Sequence, residues 1–245
     1  MNGLIALLGS GEYLPIMDPI DSVLLESVSA DGHTPRVVCL PTAAGTEGEA
    51  SVQRWMDMGL RHFRQLGAEV SALPIIDKTS ADDPQYEAQL EAADLIYFSG
   101  GNPLYLFETM QGSRAWAAAL KAWDRGAAYA GCSAGAMILA ALVPDVRTAG
   151  LRQVEAFNLL PAVSVIPHFD RMQLWRPMIL TVLRSRLTGD QYALGIDENT
   201  ALIGRLKQTW RVMGAGKVYL IDHAGTQAHA AGEEFKLPDT TQERT

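Results

Sequence analysis

Short runs of apolar residues alternate with longer amphipathic segments along most of the chain. Each apolar run is closed by Gly, Pro or a polar residue, which is typical of strands that helices cover on both faces. The runs predict strands over Leu4–Leu8, Val37–Leu40, Val70–Pro74, Leu95–Phe98, Ala127–Gly131 and Ser164–Ile166. The amphipathic segments predict helices over Glu49–Leu66, Pro84–Ala93, Ser113–Arg125 and Arg171–Arg186. The alternation indicates an α/β fold, a three-layer sandwich with a mainly parallel central sheet between helices.

The last third of the chain has a different pattern. Short strand-like runs joined by turns cover Tyr192–Ile196, Ala201–Arg205, Thr209–Met213 and Lys217–Ile221. They predict antiparallel strands at an edge of the sheet. From about Ala224 the sequence becomes polar, and we expect a flexible tail there. No stretch resembles a long linker, so we predict a single domain over residues 1–245.

Composition narrows the class of function. Of the 245 residues 48% are hydrophobic, and the formal net charge of −8 argues against a nucleic-acid partner, which requires clustered Lys and Arg. Two cysteines are too few for a disulfide framework. The apolar run near Met1 is too short for a signal peptide or a membrane span. We therefore expect a cytoplasmic protein without a membrane partner.

The most informative segment is Gly131-Cys132-Ser133-Ala134-Gly135, which matches G-x-S-x-G between a buried strand and a helix of small residues. A nucleophilic serine on a sharp strand-to-helix turn requires small residues two positions before and after it. This pattern predicts Ser133 as a nucleophile. Cys132 precedes the apex of the turn, where its side chain would point toward the core, so we interpret it as a small buried residue.

Together with three other segments, this motif resembles the peptidase S51 family, which includes peptidase E and the cyanophycinases. The matching segments are Tyr97–Pro103, with its glycine pair, Leu160–Asp170, with its histidine, and Gly195–Leu202, with its acidic strand end. The resemblance implies a fold of the class I glutamine amidotransferase type, which is flavodoxin-like. It also implies a Ser-His-acid triad with the three residues in that chain order.

His168 is the best candidate for the base because it follows an apolar strand, and active sites of open α/β sheets form at strand ends. Two carboxylates compete to orient its imidazole. Glu198 matches the third triad residue of the family, whereas Asp170 lies two residues after His168 and is also a candidate helix N-cap. We favour Glu198, and we expect Ser133, His168 and Glu198 to converge at the carboxyl edge of the central sheet.

Other residues are candidates for the surroundings of the triad. The paired glycines Gly100 and Gly101 let the backbone approach a ligand, so one of their N–H groups is expected to complete an oxyanion hole with Ala134. Asn102 either caps the following helix or contacts substrate, and Asp170 and Arg171 are further candidates for substrate contact. The turn Gly9–Glu12, after the first strand, is a candidate to border the same cleft.

The sequence thus predicts a serine hydrolase that cleaves short peptides through an acyl-enzyme, without a cofactor or a metal ion. An acidic substrate would require a cation, for which Arg171 and Arg176 are candidates. Cyanophycinases place Asp-Gln before the catalytic histidine, where this chain has Ile166-Pro167, so a cyanophycinase-like β-aspartyl hydrolase is the alternative. An amidotransferase-like binding protein without peptidase activity and a homodimeric assembly both stay open.

Overall fold

The computed structural model of the chain describes residues 2–29, 32–144, 153–172 and 176–238, with the main chain alone described at 144, 176 and 179. The strands are β1 Ile5–Leu8, β2 Arg36–Leu40, β3 Glu69–Ala72, β4 Leu95–Phe98, β5 Ala128–Cys132, β6 Leu142–Pro144, β7 Gln153–Glu155, β8 Val163–Ile166, β9 Tyr192–Ile196, β10 Thr200–Gly204, β11 Thr209–Gly214, β12 Lys217–Ile221, β13 Thr226–Ala230 and β14 Glu234–Lys236. The α-helices are α1 Asp18–Val28, α2 Glu49–Gln65, α3 Lys78–Ala81, α4 Glu87–Glu91, α5 Pro103–Met110, α6 Arg114–Arg125, α7 Ala134–Met137 and α8 Arg176–Arg186. Short 3₁₀ turns cover Pro15–Met17, Thr42–Ala44, Pro84–Tyr86 and Phe169–Met172.

An eight-stranded sheet with the order β14-β11-β10-β1-β5-β4-β2-β3 forms the centre of the molecule. The strands from β1 to β3 in this order are parallel, and β10, β11 and β14 extend the sheet in antiparallel fashion beside β1. The α/β fold with a mostly parallel central sheet and antiparallel strands near the C-terminus is therefore confirmed.

A second sheet, of four strands in the order β13-β12-β9-β8, lies beside the first. The expectation that Ser133, His168 and Glu198 converge at the edge of the central sheet was wrong in one respect: β8 and β9, the strands before His168 and Glu198, belong to this second sheet. The chain changes sheets between β9 and β10, within residues 197–199. Asn199 there has φ of 53°, and Gly9 then donates its N–H to the Thr200 carbonyl, which starts the pairing with β1.

The side chains of each central strand alternate between two apolar layers, as a pleated strand requires. In β1, Ala6 and Leu8 pack in the layer with Leu24 of α1 and Phe63 of α2. Residues of α5, α6 and the inner face of the second sheet cover the opposite face. Helix α8 in turn contributes partly buried leucines to the cluster on the outer face of the second sheet. The second sheet therefore packs against one face of the central sheet.

The expectation of a flexible tail from Ala224 was wrong for residues 226–236, which form β13 and β14. Both are edge strands, which present one side to solvent and tolerate polar residues there, so the polar composition was misleading. Trp210 of β11 faces Phe235 of β14 across the ladder, which supplies the apolar contact. The helix predicted over Arg171–Arg186 instead begins at Arg176, and residues 173–175 lie outside the described residues.

Candidate active site

Ser133 stands on a strained turn between β5 and α7. Its backbone has φ of 49° and ψ of −103°, outside the regions that non-glycine residues favour. The glycines on either side are required by contact: a Cβ on Gly131 would lie 2.3 Å from the Gly135 carbonyl carbon and oxygen. A Cβ on Gly135 would lie 2.7 Å from the carbonyl oxygen of Phe98. The G-x-S-x-G pattern thus has a steric cause in the packing of β4, β5 and α7.

The second sheet brings two side chains to this turn. His168 follows β8 and Glu198 follows β9, and the two strands are parallel neighbours. The Ser133 Oγ lies 3.2 Å from His168 Nε2, and His168 Nδ1 lies 2.9 Å from Glu198 Oε1. A carboxylate only accepts, so Nδ1 carries the proton in this arrangement and Nε2 is left to accept from the serine hydroxyl. The geometry is that of a nucleophile, a base and an orienting acid.

Glu198 also contacts Asp170 and Arg171, two residues that the sequence offered as candidates for the site. Asp170 Oδ1 accepts a hydrogen bond from the Glu198 backbone N–H at 2.8 Å, and Arg171 Nε donates to Glu198 Oε2 at 2.8 Å. The hydrogen bond from His168 lowers the pKa of the Glu198 carboxyl from its ordinary 4.5, and the Arg171 guanidinium lowers it further, against the opposing effect of partial burial. The carboxyl is therefore charged at neutral pH. Asp170 and Arg171 both contact Glu198, so the structure places them around the acid.

The glycine pair follows β4 and lies directly against the turn of Ser133. A Cβ built on Gly100 would lie 3.5 Å from the Ser133 Cβ. The Gly100 N–H, however, donates to Glu12 Oε1 at 2.8 Å, so Gly101 is the better candidate of the two glycines for an oxyanion donor. Gly101 has φ of 141°, and a Cβ there would lie 2.4 Å from the Ala43 carbonyl oxygen, so only glycine fits. Gly101 and Ala134 remain as candidate donors.

Asn102, a candidate for substrate contact, caps α5. Its Oδ1 accepts a hydrogen bond from the Tyr105 N–H at 3.1 Å, an N-terminal cap in which the side chain replaces a missing helical carbonyl. Of the two functions predicted for Asn102, the structure shows the capping one. Arg176, a candidate cation, has a side chain that lies outside the described residues.

Glu12 is a residue that sequence reasoning included only as part of a turn expected to border the cleft. It lies in the turn after β1 and is buried, with 9% of its surface exposed. Besides the Gly100 N–H, it contacts the Cys132 thiol, with Sγ 2.9 Å from Glu12 Oε2. Burial raises the pKa of the Cys132 thiol well above its ordinary 9.0, and the Glu12 carboxylate adds to the rise. Cys132 is thus a buried, protonated neighbour of the elbow and an unsuitable nucleophile. The glycine-rich turn Gly9–Glu12 was the available signal for Glu12.

The described residues hold no group of three His, Cys, Asp or Glu side chains arranged to bind a metal ion. No described helix combines the length and the hydrophobicity that a membrane span needs.

Comparisons with known proteins show similarity to peptidases of one family. The profile of Peptidase family S51 matches residues 5–209. Among solved structures, a peptidase from an acI-B1 Actinobacterium is 37% identical, with a TM-score of 0.86, over 96% of this chain and 97% of that one. A putative peptidase E protein from Listeria monocytogenes EGD-e, 20% identical over 88% of this chain and all of that one, has the same fold, with a TM-score of 0.65. A cyanophycinase from Synechococcus elongatus is 25% identical over 202 residues, which are 78% of this chain. The chain spans 60% of the length of that curated relative.

Proposed function

The chain belongs to peptidase family S51, and from this premise we propose that it is a serine-type peptidase that hydrolyses short peptides through an acyl-enzyme. The observation that carries the proposal is the hydrogen-bonded series from Ser133 Oγ through His168 to Glu198, with distances of 3.2 and 2.9 Å. Three side chains from two different sheets meet in this series, next to a strained serine turn. Backbone strain of this kind clusters at functional sites.

In the proposed mechanism, Ser133 Oγ attacks the carbonyl carbon of the scissile peptide bond while His168 Nε2 takes the hydroxyl proton. Glu198 accepts the hydrogen bond from Nδ1–H. This contact fixes the tautomer of His168, and the carboxylate balances the positive charge of the imidazolium. The bond from carbon to the amide nitrogen then breaks as His168 returns the proton to the leaving amine. Water, activated by the same imidazole, hydrolyses the resulting ester and regenerates Ser133.

The negative charge on the substrate oxygen in the tetrahedral intermediate requires nearby donors. We propose the N–H groups of Ala134 and Gly101. Ala134 is the first residue of α7, where backbone N–H groups have no carbonyl partner within the helix. Gly101 lies in the loop that packs on Ser133. Removing one such donor in a serine protease typically lowers kcat by about 10²- to 10³-fold.

The relatives differ in their substrates, and two observations bear on the substrate of this chain. Arg171, the predicted cation for an acidic side chain, donates its Nε–H to Glu198, which weakens the case for a pocket that selects Asp. Ile166-Pro167 precedes the histidine, so the polar pair of the cyanophycinases is absent from these two positions. We propose an ordinary α-linked short peptide as substrate, with a β-aspartyl peptide as the second candidate because several curated relatives are cyanophycinases.

A matched peptide library tests the proposal. The wild type and Ser133→Ala are incubated with dipeptides and tripeptides that vary the N-terminal residue, together with β-aspartyl-arginine, and free amines are quantified. We expect cleavage of α-linked peptides by the wild type and a loss with Ser133→Ala. Cleavage of β-aspartyl-arginine alone would favour the second candidate, and equal turnover by both proteins would refute the serine mechanism.

A further inference from the structure

Glu12 links two segments of the chain that lie next to Ser133. One carboxylate oxygen accepts from the Gly100 N–H, which lies in the loop after β4. The other oxygen contacts the thiol of Cys132, the last residue of β5 and the one before the nucleophile. Because a protonated thiol is a donor and a carboxylate is an acceptor, Cys132 donates this second hydrogen bond. Both oxygens of Glu12 are thereby hydrogen-bonded within the protein.

The contacts of Glu12 lie just beyond the point where β4 and β5 stop pairing. The ladder between β4 and β5 ends at Phe98 opposite Gly131. Beyond this pair, β4 continues into the glycine loop, and the last residue of β5, Cys132, pairs with β1 alone before the serine turn. The Glu12 carboxylate therefore takes over the joining of β4 and β5 at the level of the site.

The turn that presents Glu12 is itself constrained. Its neighbours Gly11 and Tyr13 have φ of 89° and 64°, and a positive φ is costly for a tyrosine. The Tyr13 ring is buried, with Tyr97 at 5.0 Å and Phe63 at 6.2 Å between ring centroids. This aromatic packing holds the strained turn in place and fixes the direction from which the Glu12 side chain approaches.

We propose that Glu12 is a positioning residue: its carboxylate sets the distance between the Gly100–Gly101 loop and the Ser133 turn, and thereby aligns the two oxyanion donors. This inference rests on the proposed function, in which Gly101 and Ala134 supply those donors. Gly101 directly follows Gly100, whose N–H donates to Glu12. Ala134 lies two residues after Cys132, whose thiol donates to Glu12. The property that matters is then the reach of the side chain, and its negative charge is secondary.

Two substitutions separate reach from charge. Glu12→Asp keeps the charge but is shorter by one carbon, about 1.5 Å, so it cannot span both partners. Glu12→Gln keeps the reach: its amide oxygen still accepts from the Gly100 N–H, and its NH₂ can donate to the Cys132 sulfur, which is a weak acceptor. A displacement of about 1 Å at a reacting centre can cost about 10²-fold in rate. We expect Glu12→Asp to lower kcat by about 10- to 100-fold with KM within about threefold, and Glu12→Gln to keep kcat within about fivefold.

Asp94 offers a matched control. It is also a buried carboxylate beside β4, but it lies at the opposite end of the strand, where it accepts from the Arg36 N–H at 2.9 Å. Asp94→Ala is expected to lower the unfolding temperature and to leave kcat of the folded enzyme unchanged. A fall in kcat with Glu12→Asp at an unfolding temperature equal to or above that of Asp94→Ala therefore cannot come from lost stability.

The measurements are kcat and KM on a cleaved peptide and the rate of phosphonylation by a fluorophosphonate, whose oxygen would use the same donors. The inference is supported if kcat and the phosphonylation rate both fall with Glu12→Asp and both stay near the wild-type values with Glu12→Gln. The inference is overturned if Glu12→Asp retains wild-type kcat, or if Glu12→Gln loses as much as Glu12→Asp. A wild type that neither cleaves peptides nor reacts at Ser133 would instead refute the proposed function, so the two failures are distinguishable.

Discussion

Replacement of Glu198 by glutamine tests how the acid acts in the proposed triad. Glu198 accepts from His168 Nδ1 on one oxygen and from Arg171 Nε on the other. Glutamine has one acceptor and one donor in the same shape, so it satisfies only one of these partners. If its oxygen faces His168, its NH₂ faces the Arg171 guanidinium; if the NH₂ faces His168, the imidazole takes the wrong tautomer.

The magnitude follows from which arrangement is adopted. In a serine protease triad, the wrong tautomer lowers kcat by about 10⁴-fold, or about 5.4 kcal/mol of activation free energy. Arg171 is 73% exposed and can turn into solvent at small cost, which would keep the correct tautomer. The loss would then come mainly from the missing negative charge beside the imidazolium. We therefore expect kcat of Glu198→Gln to fall between about 10²- and 10⁴-fold.

The control is Asp170→Asn, assayed on the same peptide. Asparagine keeps an oxygen that can accept from the Glu198 N–H, the contact that Asp170 makes at 2.8 Å. Its kcat is expected to stay within about fivefold of wild type, since one acceptor replaces another of the same length. A collapse of kcat with Asp170→Asn and its retention with Glu198→Gln would refute this reasoning and identify Asp170 as the functional acid.

Three further outcomes are expected. Ser133→Cys should retain acyl transfer at a reduced rate and with a changed dependence of kcat on pH, because a thiolate then replaces the base-assisted alkoxide. An unchanged pH profile would contradict this expectation. The lowered pKa of Glu198 implies stability that is complete above about pH 4.5 and lost as pH falls through the lower folded-state value. Arg171→Gln removes one cause of the lowering, so the loss measured by urea unfolding should become smaller and end at a higher pH. An unchanged curve would count against the ion pair. Gly135→Ala should lower the free energy of unfolding, measured in urea, by about 1–3 kcal/mol, because the added Cβ meets Phe98. Gly225→Ala, with open space around it, is the neutral control. Equal stabilities of the two variants would contradict the steric explanation.

Local patterns were the features that the sequence predicted well. Periodicity and strand-closing residues located β4, β9 and β12 with the observed bounds. The strand, the small residues and the helix around Ser133 are adjacent in the chain, so the turn could be inferred without knowledge of the fold. The structure has His168 and Glu198 within hydrogen-bond distance in series with Ser133, and their catalytic roles stay a prediction.

Contacts between distant segments were the features that could not be predicted. A strand has the same period in either sheet, so the pattern of Tyr192–Ile196 does not reveal that this strand leaves the central sheet. Glu12 is 88 residues from Gly100 and 120 from Cys132, and its burial depends on the pairing of β1 with β5. The contact between Arg171 and Glu198 likewise depends on the fold and could not be predicted from the sequence.

Covalent labelling tests directly whether Ser133 is an activated nucleophile. The intact protein is exposed to a fluorophosphonate at neutral pH, digested, and the modified residue is identified by mass spectrometry, with Ser133→Ala treated in parallel. We expect one adduct on Ser133 in the wild type and no adduct in the variant, because only a serine beside a hydrogen-bonded imidazole is activated. An unmodified Ser133, or an adduct on another residue that persists in Ser133→Ala, would contradict the account.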